Sequence, residues 1–247
     1  MKPDDEPFFA ALLRAAFEAR QEHEDEDWPA LAEELTRLAP EERDALWHAD
    51  PRTRSLALGF ALLERAETLL ALNPGAARQA AELVLTQVER RHGNKETGSG
   101  LANAIAADQA SGAFQVLAQI TLLSKDAEGA AGLVLAAEVL AEKGTGDPDV
   151  SAGLLMTRAL LAWVRGEPEA SLKLHHQAAE LWQQAGEPAK EAVARARLAT
   201  VLEALGHLEA AGEAREQAAR LLQEAGVELP AGWMLARWVD AGGNKLH

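Results

Sequence analysis

The chain contains no cysteine and no tyrosine among its 247 residues. Without cysteine there is no disulfide, no thiolate-ligated zinc or iron–sulfur cluster, and no thiol nucleophile. Aromatic residues make up 4% of the sequence while apolar residues make up 48%. The apolar content therefore rests on Ala, Leu and Val. Ala and Leu are among the strongest helix formers because they lose little side-chain freedom in a helix. A β-sandwich or barrel would need β-branched and aromatic residues at alternating positions, and their scarcity points to an all-α fold.

Basic residues are also in deficit, with 24 Lys and Arg against 39 Asp and Glu and a formal net charge of −15. Proteins that grip nucleic acid neutralise phosphates with clustered cations, so nucleic acid is not an expected partner. The two short basic groups, Arg90-Arg91 and Arg195 with Arg197, are flanked by acids and read as solvated helix faces. The acidity disfavours docking on anionic membranes, and no stretch approaches the ~20 apolar residues of a spanning helix. The opening MKPDDEPFFAALL puts acids before a short apolar run, unlike a secretory signal. The expectation is a cytoplasmic protein without a membrane partner.

Helical punctuation is abundant. Pro7 to about Glu22 sets Phe8, Leu12, Ala15 and Ala16 on one stripe. Asp27 is placed to cap a second helix with Pro29 in its first turn, and Leu31, Leu35 and Leu38 give that helix its apolar side. A short third helix runs from Pro40 to near His48. Asp50-Pro51 and Asn73-Pro74 repeat the cap-plus-proline signature and predict helices over roughly 52–72 and 75–91. The polar, Gly-rich stretch from His92 to Gly100 then reads as a connector. It is not a phosphate loop, because its lysine precedes the glycine pair and no strand leads into it.

From residue 101 the sequence copies itself. Tight turns are expected at Lys125, Gly166 and Gly206, spaced 41 and then 40 residues apart. Seven residues before each turn stands a small residue: Ala118, Ala159, Ala199. Five residues after it stands another, Ala130, Ser171 or Ala211, and seven further on a third, Ala137, Ala178 or Ala218. Each unit closes on a glycine, at 144, 186 and 226. Small side chains let two antiparallel helices approach closely, and a closing glycine supplies a left-handed cap. A lone hairpin cannot bury its apolar face, so such units stack and share a core. The rival reading is an Ala-rich bundle whose period is coincidental.

This pattern resembles the tetratricopeptide repeat, in the longer, roughly 40-residue variety of bacterial regulators of the MalT type. It departs from the family at Val134, His175 and Arg215, where a large ring is often found. The resemblance implies antiparallel hairpins stacked in a right-handed superhelix, an α-α solenoid. The organisation is then an N-terminal helical region (1–92) holding capping helices and a degenerate hairpin, and a connector (93–100). Three repeats (101–226) and a C-terminal capping helix and tail (227–247) follow, the last carrying Trp233, Leu235 and Trp238.

The resemblance also implies a concave groove lined by the first helix of each hairpin. Carried over, its positions are Gln115, Gln119 and Leu122, then Met156, Leu160 and Trp163, then Thr200 and Glu203. An apolar floor with Trp163 as anchor suits a peptide or an amphipathic helix. The expected role is a protein-binding scaffold or adaptor. The alternative is a ligand- or peptide-responsive regulatory domain acting through a protein, since residues 1–60 hold no basic recognition helix. The groove could equally be filled by the N-terminal helices. Self-association into a closed homodimer is a further use for the groove or the C-terminal Trp helix.

No catalytic, cofactor or metal motif is present: no His-Glu-x-x-His pair, no Gly-x-Ser-x-Gly elbow, no dinucleotide fingerprint. His175 and His176 are adjacent and point about 100° apart on a helix, so they cannot share an ion on one face. His23 beside the acidic run 24–27 lacks the alternation and glycine of a calcium loop. Neither an enzyme nor a cofactor protein is expected.

Overall fold

In the computed structural model the structure describes residues 27–93 and 100–226, as helices and short turns. The helix expected over 7–22, the acidic run beside His23, most of the Gly-rich connector and the C-terminal Trp helix lie outside the described residues. Among the described residues there are ten α-helices, one 3₁₀ turn and no strand, and consecutive helices pack pairwise. None is long and apolar enough to cross a membrane. The contacts divide the chain into two compact units. One takes the described residues up to Val116 together with Val139–Thr145; the other takes Leu117–Glu138 and the residues from Gly146 on.

The first unit begins with α1 (Trp28–Arg37), capped by Asp27, whose Oδ1 accepts from the Ala30 amide at 3.3 Å. Trp28, Leu31, Ala32 and Leu35 are buried, and α1 packs on α3 (Leu56–Leu70). Arg65 of α3 donates to Thr36 Oγ1 at 2.9 Å. Between them lies α2 (Pro40–Ala49), whose Trp47 is buried beneath the Arg90 guanidinium, 5.2 Å from its ring centre.

The helix expected to begin after Pro51 begins later. Asp50 caps only a 3₁₀ turn, Pro51–Arg54, taking the Arg52 amide at 2.9 Å and the Arg52 guanidinium as well. The Thr53 hydroxyl is spent on Trp47 O and Asp50 O. Ser55 then caps α3 through Ala57 N at 3.1 Å. Asn73 caps α4 (Pro74–Gly93) through Ala76 N at 3.1 Å, as its cap-plus-proline signature predicts, and α3 and α4 form a hairpin.

In α5 (Gly100–Leu123), Gln109 Nε2 donates to Leu56 O at 2.7 Å while Gln87 Nε2 of α4 donates to Ser55 O. Both amide oxygens crowd Gly59, where a Cβ would sit 2.4 and 2.5 Å from them. A side chain at 59 would force both glutamine amides to move from the positions in which they bond the start of α3.

The second unit takes α5 from Leu117, then α6 (Ala127–Ala141) up to Glu138. It continues through α7 (Pro148–Val164), α8 (Pro168–Ala185), α9 (Pro188–Ala204) and α10 (Leu208–Ala225). Proline opens α7, α8 and α9, where its missing amide costs nothing. The turns fall where the repeat predicts. Lys125, Gly166 and Gly206 have φ of 60°, 77° and 81°, and Gly186 and Gly226 close α8 and α10 in the left-handed conformation.

Gly144 departs from the pattern. The left-handed residue is Gly146, with φ 80°. Gly144 is needed for close approach instead, because a Cβ there would fall 1.8 Å from Asp108 Oδ1. Asp108 is buried and accepts from Thr145 N at 2.9 Å and from Thr145 Oγ1 at 2.6 Å, all within the first unit.

Candidate interaction surface

The nine small residues of the repeat are all buried, none more than 2% exposed. They are where helices touch. Ala118 and Ala130 share a core with Leu122, Val134, Leu160 and Leu161; Ala178 joins Ala152, Met156, Ala179, Trp182 and Ala194; Ala199 and Ala211 join Leu198 and Ala214. The first cluster puts α5 against α7 as well as against α6. The second puts α7 against α9 as well as α8. The first helices of successive hairpins therefore touch one another.

The eight groove residues fare unequally. Leu122 and Leu160 are brought together, but inside the core. Met156 is likewise core, packed with Trp182. Gln115 is buried and donates to Ser111 Oγ at 3.3 Å; it belongs to the first unit, while the other seven belong to the second. Gln119 is half-buried and donates through Nε2 to Thr157 Oγ1 at 3.1 Å, linking α5 to α7. Trp163 and Thr200 are half-buried. Glu203 is exposed and ion-paired with Arg215 of α10. The apolar floor foreseen from the sequence is thus packing between helices, and the reachable residues are Gln119, Trp163, Thr200 and Glu203. Small residues mark where helices cross, but they do not say which large neighbours the crossing swallows.

The basic groups are consumed locally. Arg90 donates to Asp44 at 2.8 Å, and Arg91 donates to Arg54 O, with burial lowering the Arg91 pKa. Arg195 pairs with buried Glu191 at 2.6 Å and donates to Gln217 at 2.8 Å. The two adjacent histidines diverge as expected: His176 is exposed beside Glu180, 3.3 Å away, and His175 is buried. Among the described residues no group of three or more metal-ligating side chains is assembled.

Two polar centres of the second unit were invisible to pattern reasoning. Asp149, in the first turn of α7, accepts from the Trp182 indole of α8 at 2.7 Å and from Lys190 of α9 at 2.5 Å, tying three helices. The residues lie 33 and 41 positions apart, beyond any local signature. His175 Nδ1 donates to Ser171 O at 2.9 Å, and its Nε2 has no hydrogen-bond partner among the described residues. Burial, with the Arg197 charge nearby, lowers the His175 pKa to about 3. The departure from a large ring at 175 was its only advance signal.

No family model, curated protein or solved structure matches this chain.

Proposed function

We propose that the chain is a tetratricopeptide-like repeat scaffold that binds a peptide or helical segment of another protein on the outer side of its first helices α5, α7 and α9. One observation carries this reading. Small residues at the same three positions of three hairpins are buried at helix crossings, with a left-handed residue at each predicted turn. Stacked hairpins of this kind offer an extended surface built from equivalent helices. Trp163 is the anchor, since a half-exposed indole supplies a large contact area at low entropic cost. Gln119, Thr200 and Glu203 supply polar contacts around it.

The experiment is selection from a displayed peptide library by the full chain, with Trp163→Ala as the counter-selection. The expected result is a family of related peptides that binds the wild type and is weakened at least tenfold by Trp163→Ala, with helicity unchanged by circular dichroism. Peptides retained equally by both proteins, or no enrichment at all, would rule the reading out.

A further inference from the structure

We draw no further inference here: the strongest candidate, the surface patch on the last hairpin where Ala219 of α10 is exposed although its repeat counterpart on α8, Ala179, is buried with Ala194 of α9, carries nothing because nothing in the structure shows what covers it.

Discussion

A neutral histidine in a repeat core couples this fold to pH. His175 is a fully buried, flat and uncharged side chain whose Nδ1 donates to Ser171 O. Burial holds its pKa down at about 3, and Arg197, itself lowered only to about 10, remains cationic beside it. The unfolded chain returns His175 to an ordinary value near 6.5. Between those values the unfolded state binds a proton that the folded state refuses, so stability falls as pH drops below about 6.5 and is fully retained above it. The limiting slope for one such group is about 1.4 kcal/mol per pH unit. Urea midpoints of wild type and His175→Phe at pH 7.5 and pH 5 check this, because the other titrating groups are common to both proteins. The wild type should lose more stability on acidification; equal losses would show that position 175 does not sense pH.

Lys125 is a second residue whose place in the repeat predicts its behaviour. It is the only non-glycine with positive φ among the described residues, at a turn where its two counterparts are Gly166 and Gly206. A left-handed lysine is strained by its Cβ, and glycine removes that strain at some cost in unfolded-state entropy. Lys125→Gly should therefore raise stability by about 0.5–1 kcal/mol. A lower thermal midpoint for the variant would refute this.

Among the helices, the fold relies on a few polar side chains that span more than one element. Asp149 is the clearest, since a single carboxylate joins the α7 start to the buried indole of Trp182 on α8 and to Lys190 on α9. Its neighbour Asp147 caps the same helix through Asp149 N at 2.9 Å, so the α7 start is fixed on both sides. Asp149→Ala would leave the indole N–H of a residue 6% exposed without its acceptor, at a cost of about 2 kcal/mol. Asp149→Asn keeps an oxygen for the indole but gives up the charge that attracts Lys190. That ion pair is part-exposed and worth less, so Asn should fall between Ala and wild type in urea unfolding. If Asn were as damaging as Ala, the lysine and not the indole would be the partner that matters.

At the scale of the molecule, helix content and turn positions among the described residues were readable because they are local. Ala, Pro and Gly mark helix crossings, starts and ends within a few residues of where each acts. The N-terminal hairpin shows the limit. Taking Asn73 as the turn hides the pattern, because position 78 is an arginine. Aligning Pro74 with Pro168 instead makes Leu72 the turn, and Ala77 and Val84, both fully buried, then fall where Ser171 and Ala178 fall. The site was less legible, since burial of Leu122, Met156 and Leu160 depends on residues tens of positions away.

Pairwise packing of consecutive helices has a consequence for unfolding wherever each helix is stabilised chiefly by its chain neighbours. Ala199 of α9 is fully buried among Leu198, Ala211 and Ala214 of α9 and α10, with the half-buried Leu202 and Leu172, the latter from α8, packed against them. Ala199→Leu overfills that crossing and should cost about 1–3 kcal/mol. If stability is passed between nearest neighbours, amide exchange should quicken in α8, α9 and α10 while α3 and α4, in the other compact unit, keep their protection. Exchange that quickened equally from Leu56 to Ala225 would instead make the chain one cooperative unit. The Gly59 contact among α3, α4 and α5 and the Asp149 contact among α7, α8 and α9 favour the graded outcome, since each is confined to its own unit.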